Sequence, residues 1–212
     1  MGKAAEKSAS GPGKLRLVGG VWRRHQLPVA QVEGLRPSPD RLRETLFNWL
    51  GQTCQSYHVL DLFSGTGSLG LEAASRGAER VDFVESNVQI ATQLKRNIDS
   101  LLGKWQVSYG ARPVLKVHRA AADTALAHLS QCRRPFDLVF LDPPFGSDLL
   151  QSTLPLMRRI LKPSGLVYLE WHTSLFDDLP ALAQCFGLNE LDALRHTQVG
   201  RVHGHLVGLP TL

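Results

Sequence analysis

From residue 57 onward, short apolar runs alternate with longer amphipathic runs, and this alternation restricts the possible fold more than any other feature. The apolar runs are "YHVLDLF" (57–63), "RVDFVE" (80–85), "RPVLKVH" (112–118), "PFDLVFLD" (135–142) and "GLVYLEW" (165–171). A helical pattern follows each of them, and the fourth of these predicted helices covers 148–162. Parallel strands need such crossovers, so five repeats predict a parallel sheet with helices on both faces. Two later runs, 188–197 and 201–209, lie too close for a helical crossover and predict an antiparallel pair.

A glycine-rich stretch, "DLFSGTGSLG", joins the first apolar run to its helix. Its glycines have the spacing G-x-G-x-x-G, and Glu85 ends the second run. Such a loop lets the backbone approach a nucleotide, and the carboxylate accepts hydrogen bonds from ribose hydroxyls. The predicted cofactor-binding residues of this region are Phe63, Gly65, Gly67 and Glu85. The pattern serves either NAD or S-adenosylmethionine, because both carry an adenosine ribose.

Three features favour S-adenosylmethionine. Asp61 stands inside the first apolar run, where its carboxylate would face a cationic ligand well and repel a pyrophosphate. No basic residue lies in the glycine loop to help a pyrophosphate. The motif D-P-P-F at 142–145 has no use in a nicotinamide enzyme. We therefore predict an S-adenosylmethionine site at the carboxyl ends of the strands, with Asp61 as a cofactor-binding residue, and keep an NAD-dependent oxidoreductase as the alternative.

The stretch "DLVFLDPPFGSD" predicts the catalytic residues. Two consecutive prolines end the strand, since neither has an N–H to give to a sheet ladder. Asp142 can accept one hydrogen of an exocyclic amine and the carbonyl of Pro143 the other, in a direction held by Pro144. Phe145 can stack on the base. This arrangement aims the amine's lone pair at a methyl donor, and positioning of this kind is worth several kcal/mol. A stiff turn without chemistry is the other interpretation.

The amino-terminal segment carries the excess of positive charge. Residues 1–50 contain nine Lys or Arg and four Asp or Glu, so the whole net charge of +5 lies there. Clustered cations beside a tryptophan suit a nucleic-acid backbone with exposed bases, although a solvated arm is the alternative. The stretch 35–51 predicts a helix with Ser38 as N-cap, which leaves its arginines free for a ligand. The predicted RNA-binding residues are Arg16, Trp22, Arg23, Arg24, Arg36 and Arg43.

The chain resembles the RsmD family of bacterial 16S ribosomal RNA guanine-N2 methyltransferases. The matching stretches are "RLVGGVWRRHQLPV", "GLRPSPDRLRETLFNWL", "DLFSGTGSLGLEA" and "FLDPPF", and the second is the most specific to this family. The resemblance implies a Rossmann-like class I methyltransferase fold with seven strands, the last of them antiparallel. It also implies S-adenosylmethionine as methyl donor and the 2-amino group of a guanine, of the guanine 966 type, as acceptor.

The resemblance further implies that the amino-terminal hairpin and the helix start around Ser38 hold RNA or cofactor. The chain departs from the family after the third strand, where an Asp or Asn usually lies near the adenine. Here the stretch is "HRAAAD", and we expect backbone N–H groups of Ala121 or Ala122 to serve instead. A DNA adenine-N6 methyltransferase and a non-catalytic RNA-binding protein are further alternatives.

These patterns predict three regions: a disordered tail at 1–13, a basic hairpin-and-helix extension at 14–52 and a methyltransferase domain at 53–212. The expected partner is ribosomal RNA in an assembling small subunit, bound by a monomer. Three scattered cysteines and eight histidines show no metal spacing, so we expect no metal site. We also expect His203 and His205 to be exposed. The chain has neither a secretory signal nor an apolar run that would span a bilayer, which predicts a cytoplasmic protein.

Overall fold

The computed structural model describes residues 13–131, 135–144 and 149–209. The predicted tail therefore lies outside the described residues, except for Gly13. The strands are β1 (Lys14–Arg16), β2 (Gln26–Pro28), β3 (His58–Asp61), β4 (Arg80–Val84), β5 (Val114–His118), β6 (Phe136–Leu141), β7 (Leu161–Trp171), β8 (Asp192–Val199) and β9 (Val202–Gly208). The helices are α1 (Asp40–Trp49), α2 (Ser68–Ser75), α3 (Val88–Leu102), α4 (Ala122–Gln131), α5 (Leu149–Thr153) and α6 (Leu179–Cys185).

Seven of these strands form one sheet in the order β5-β4-β3-β6-β7-β9-β8. Strands β3 to β7 are mutually parallel, and β9 runs antiparallel to both β7 and β8. The predicted fold class is thus confirmed, including the antiparallel last strand. The parallel order reverses on either side of β3, so the carboxyl ends of β3 and β6 lie beside a crevice in which ligands of such sheets bind.

The two faces of the sheet bury alternate residues of each strand, as the period of two requires. Val59 and Phe140 pack with α1, α2 and α3 on one face, whereas Leu60 and Leu141 pack with α4, α5 and α6 on the other. Among the described residues, no helix combines the length and apolar character needed to cross a bilayer.

The predicted hairpin forms, with β1 antiparallel to β2, and it docks on the end of α2. Gly20 has a φ of 69°, and a Cβ there would lie 1.8 Å from the carbonyl oxygen of Ser75. The Ser75 hydroxyl donates to the Gly19 carbonyl, and the Trp22 N–H donates to that hydroxyl. Residue 20 therefore has to be glycine for this contact, and the hairpin shares the core of the sheet.

Two predicted helix boundaries are wrong. Helix α1 begins at Asp40 with Pro39 as its N-cap, and Ser38 does not cap it. The helix predicted over 148–162 ends at Thr153, because Pro155 cannot donate to the preceding turn. A 3-10 segment, Leu154–Arg159, follows, and β7 already begins at Leu161, where it pairs with Phe136.

Candidate active site

A cavity of about 1040 Å³ opens at the carboxyl ends of β3 to β7. Its volume is at the upper end of the range of small-molecule sites, about 300–1,000 Å³. The strand ends contribute Phe63, Glu85, Ala120, Ala121, Ala122, Asp142, Pro143, Pro144 and Glu170. The segment 32–39, between the hairpin and α1, lines it as well. Phe145 lies outside the described residues, so its predicted stacking role stays a prediction.

The glycine loop lines the cavity through Gly65 but not through Gly67 or Asp61. Asp61 is buried, and its Oδ2 accepts the Gly70 N–H at 3.0 Å. The expectation that Asp61 faces the ligand is therefore wrong for this structure, because the carboxylate lies beneath the loop and holds it. Gly67 has a φ of 78°, and a Cβ there would lie 2.4 Å from Leu94, so it serves packing against α3.

Glu85 lies at the cavity wall with both carboxylate oxygens anchored. Its Oε2 accepts the Gly65 N–H at 3.0 Å, and its Oε1 accepts the Asn87 N–H at 2.7 Å. A carboxylate has about four lone-pair sites, so two remain for a ligand diol. This geometry agrees with the cofactor role predicted for Glu85, and the bond to Gly65 ties the acid to the loop.

The wall beyond β5 is made of small apolar residues. Ala120, Ala121 and Ala122 line the cavity, and α4 begins at Ala122. Asp123 is exposed, and its Oδ1 accepts the Thr124 N–H at 2.6 Å, so it lies outside the cavity. Only backbone groups can be offered to a ligand along this wall, as expected for Ala121 and Ala122.

Three acids, Asp61, Asp142 and Glu170, lie close enough to one another to interact electrostatically. Asp142 and Glu170 both interact with the Ser38 hydroxyl, and Ser38 also lies 3.3 Å from the Ser68 hydroxyl. Burial raises the pKa of Asp142, and burial together with the Asp142 charge raises that of Glu170 well above its ordinary value. Burial also raises the pKa of Asp61 to about 7. The three acids therefore bind protons more tightly than free carboxyl groups do, and a bound cation or N–H donor would favour their ionised forms.

The six predicted RNA-binding residues divide into two groups. Arg23, Arg24 and Arg36 are exposed, and Arg36 lies at the cavity. Arg16 is half-exposed and pairs with Asp40 at 2.6 Å. Trp22 is 1% exposed and packs edge-on against Trp105, so it cannot stack on a base.

Arg43 is the second correction among these residues, because it is fully buried in an ion network. Its guanidinium contacts Glu72 at 3.2 Å and Asp40 at 2.6 Å, and it donates to the carbonyls of Ser38 and Arg16. It therefore cannot bind RNA in this structure. Its bond to the Ser38 carbonyl instead places the Ser38 hydroxyl beside the acids.

The histidines of β8 and β9 form a cluster that the sequence did not predict. His196, His203 and His205 stack on one face of the strand pair, and the expectation that His205 is exposed is wrong. Its Nε2 accepts the Leu175 N–H at 2.9 Å, and its Nδ1 lies 3.4 Å from the Leu169 carbonyl. Burial lowers the pKa of His205 to about 4. Since both ring nitrogens have partners, we interpret the cluster as packing between β9 and residues 175–178.

Comparison with known proteins finds methyltransferases of the same architecture. Residues 15–202 match the family described as Conserved hypothetical protein 95. Ribosomal RNA small subunit methyltransferase D of Haemophilus influenzae is 39% identical over 160 residues, 74% of this chain and 79% of that protein. The protein of the same name in Escherichia coli K12 is 39% identical over 163 residues, 76% of each chain.

Solved structures agree with these matches. A structure described as putative methyltransferase yhhF from Escherichia coli superposes with a TM-score of 0.74 and 32% identity, covering 94% of this chain and 100% of that one. The Thermus thermophilus 16S rRNA N2 G1207 methyltransferase (RsmC), solved with AdoMet and guanosine, has a TM-score of 0.63. It is 20% identical, covers 97% of this chain and 53% of that one, and so shares the fold alone.

The sheet order and the cavity over its carboxyl ends are those of Rossmann-like methyltransferases. The family match covers most of the described chain, and two relatives share more than a third of their residues with it over three quarters of its length. The chain belongs to the RsmD family.

Proposed function

We propose that this protein transfers a methyl group from S-adenosylmethionine to the exocyclic 2-amino group of a guanine in small-subunit ribosomal RNA, of the guanine 966 type. The observation that carries the proposal is the placement of two carboxyl groups in one cavity. Glu85 lies beside the glycine loop, and Asp142 lies at the end of β6, ahead of two prolines. The names of the curated relatives support ribosomal RNA as the substrate class.

The residues present fit S-adenosylmethionine. Glu85 keeps free acceptor sites for a ribose diol, and the alanine wall leaves room for a flat base. Ser38, at the acid cluster, and backbone groups of Ala121 and Ala122 would complete the holding set. When bound, the cofactor supplies a methyl group that is electrophilic because of the adjacent sulfonium.

Asp142 acts on the acceptor amine. An amine attached to an aromatic ring is a poor nucleophile because its lone pair is delocalised into the ring. In its ionised form Asp142 accepts one N–H and the Pro143 carbonyl accepts the other, which favours a nitrogen with an available lone pair. The bond that forms is N–C, the bond that breaks is S–C, and the nitrogen releases one proton. Asp142, whose pKa burial raises, takes that proton.

Substitution of Asp142 tests the proposal. We expect single-turnover rates in the order wild type, Asp142→Asn, Asp142→Ala, because an amide oxygen still accepts an N–H but without the charge-assisted bond. The measurement is transfer of labelled methyl to 16S RNA at saturating cofactor, followed by mapping of the modified base. Cofactor affinity by titration calorimetry and circular dichroism should change little.

Asp123→Asn is the matched control, since Asp123 is exposed and bonded to Thr124. An Asp142→Ala protein with the wild-type rate would leave Asp-Pro-Pro as a stiff turn only. Binding of NAD in place of S-adenosylmethionine would favour the oxidoreductase alternative instead.

The proposed partner is the ribosomal RNA of an assembling small subunit, on which the protein acts as a monomer. Two observations support an RNA partner. The cations Arg23, Arg24 and Arg36 are exposed and so accessible to phosphates, and Arg36 also adjoins the cavity. Methyl transfer to naked 16S RNA, to partly assembled particles and to mature subunits, compared side by side, separates the possible substrates. Light scattering of the protein alone measures its oligomeric state.

A further inference from the structure

Glu170 lies beside Asp142 at the base of the cavity. Strands β6 and β7 are parallel neighbours in which Leu141 pairs with Leu169, so the next residues along, Asp142 and Glu170, also adjoin. Phe140 and Tyr168 pair in the same register, and their rings meet on one face of the sheet. Two residues further on, Asp142 and Glu170 point to that same face. Both line the cavity, and Glu170 is 2% exposed.

The carboxyl group of Glu170 is held from one side. The Tyr168 hydroxyl donates to its Oε1 at 3.3 Å, and the Ser38 hydroxyl interacts with it from α1's side of the cavity. Adjacent strands are about 4.8 Å apart, so the two acids can bind neighbouring groups of one planar base. Two neighbouring buried carboxyl groups that line one cavity therefore form a pair of hydrogen-bond acceptors.

Guanine is the base whose edge fits two adjacent acceptors. Its 2-amino group adjoins a ring N–H at N1, so the edge presents donors side by side. The amino groups of adenine and cytosine adjoin a ring nitrogen that bears a lone pair and would face a carboxylate oxygen without a hydrogen bond. Enzymes read an extruded base by hydrogen bonds to this edge.

We propose that Glu170 accepts the N1–H of the target base and thereby selects guanine among the bases that carry an amino group. The inference rests on the proposed function, in which Asp142 holds the 2-amino group. Glu170 is then a specificity-determining residue that contacts the substrate, whereas Asp142 acts on the reacting nitrogen. Burial raises the pKa of Glu170, and an arriving N–H donor favours its ionised form.

The test uses 16S RNA in which a synthetic segment carries the target position. The target is guanine, 2-aminopurine, which keeps the 2-amino group but has no N1–H, or inosine, which keeps N1–H but has no amine. The wild-type protein should methylate guanine, should methylate 2-aminopurine on the order of a thousandfold more slowly, and should not methylate inosine. Sites built to bond a polar substrate group reject analogues lacking it by factors of about this size.

Glu170→Gln should change the preference because its amide can turn an N–H toward the bare N1 of 2-aminopurine. We expect the guanine to 2-aminopurine ratio of rates to fall at least about thirtyfold. Glu190→Gln, a change of an exposed glutamate, should leave the ratio unchanged. Glu170→Met, which has neither donor nor acceptor, serves as a second variant that fills a similar volume, and it too should reduce the ratio.

Binding gives a readout independent of turnover. The fluorescence of 2-aminopurine RNA, titrated with protein and S-adenosylhomocysteine, should report tighter binding by Glu170→Gln than by wild type. A wild-type ratio retained in both Glu170 variants, with folding confirmed by circular dichroism, would overturn the role of Glu170 alone. Methylation of inosine RNA, or none of guanine RNA by the wild type, would instead overturn the proposed function.

Discussion

Buried carboxyl groups in this protein differ in pKa according to the hydrogen-bond donors and charges around each of them. Asp82 is fully buried, but hydrogen bonds from His118 and Arg80 outweigh the cost of burial and lower its pKa. Asp61 is equally enclosed, has a backbone N–H as its bond partner and lies near other acids, so its pKa rises to about 7. The first acid stabilises the sheet, whereas the second holds the glycine loop from beneath.

At the same scale, Glu85→Ala should weaken the binding of S-adenosylmethionine. The ribose hydroxyls lose their charged acceptor, and the loop loses the bond between Glu85 and the Gly65 N–H. Removal of such a charged contact costs about 2–3 kcal/mol. Titration calorimetry measures the loss, and Glu79→Ala, which removes an exposed carboxylate at the start of β4, is the control. Equal affinities in the two variants would contradict the cofactor role.

Helix α1 is the element whose side-chain environments were predicted least well from the sequence. Its apolar residues Leu46 and Phe47 pack on the sheet, but its arginines have different environments. Arg41 is exposed, whereas Arg43 is enclosed by Glu72 and Asp40. The helix therefore connects the hairpin, through the Arg16 carbonyl, to the acid cluster, through the Ser38 carbonyl.

Arg43→Ala should destabilise the protein strongly, because Glu72 would remain buried with one fewer cation. Breaking a buried ion pair in this way costs about 3–5 kcal/mol. Arg41→Ala on the same helix should change the free energy of unfolding by less than about 0.5 kcal/mol. Urea unfolding of the two variants measures the difference. If Arg43→Ala is as stable as Arg41→Ala, the network does not hold this helix.

For the hairpin, Arg23→Gln together with Arg24→Gln should weaken RNA binding and leave cofactor affinity unchanged. The slope of log affinity against log salt should shrink by somewhat under one unit for each lost phosphate contact. Arg158→Gln with Arg159→Gln removes an adjacent exposed pair on the other face of the sheet and is the matched control. Identical slopes in both double variants would mean that the hairpin is a solvated surface.

At the scale of the whole molecule, the carboxyl ends of β3 to β7 and the segment 32–39 meet at one cavity that concentrates acids. Glu85 follows β4, Asp142 follows β6 and Glu170 belongs to β7, whereas Asp61 of β3 lies beneath the glycine loop. Burying acids without cations costs stability in the absence of ligand. In the free protein these acids therefore lower the stability of the fold, and a bound ligand would offset that loss.

The burial of Asp142 predicts that the stability of the protein depends on pH. The pKa of Asp142 is raised by burial to about 7 from 3.8, so the folded state holds the proton more tightly than the unfolded state. The stability associated with that proton is present at low pH and is lost as pH rises toward 7. Asn cannot ionise, so Asp142→Asn should gain about 2–3 kcal/mol more at pH 8 than at pH 5.

For a chain of this size, that gain corresponds to about 4–12 °C in melting temperature. Thermal unfolding of the ligand-free protein at both pH values measures it. Asp123→Asn, which alters an exposed carboxylate, should show the same small shift at each pH. A gain for Asp142→Asn that does not depend on pH would show that Asp142 is already ionised in the fold at pH 5.

Local patterns in the sequence were sufficient for the fold and for most of the cavity. The apolar runs have the length of buried strands. The spacing of the first five leaves room for helical crossovers between parallel strands, and the last two are too close for one, so the seven-stranded sheet could be predicted. Glu85, Asp142 and the alanines that follow β5 could be placed at one edge of the sheet, because the carboxyl ends of parallel strands lie together. Side-chain partners were not predictable in this way.

Only the tertiary structure decided those partners, because they join residues far apart in the chain. Arg43 meets Glu72 across 29 positions, and His205 meets Leu175 across 30. Trp22 of the hairpin packs edge-on against Trp105, which follows α3, so a residue expected to stack on a base belongs to the core. Glu170 lies beside Asp142 through the register of β6 and β7. The sequence by itself determined which elements form and at which edge of the sheet the cavity opens, and the packing between elements decided which charged groups line that cavity.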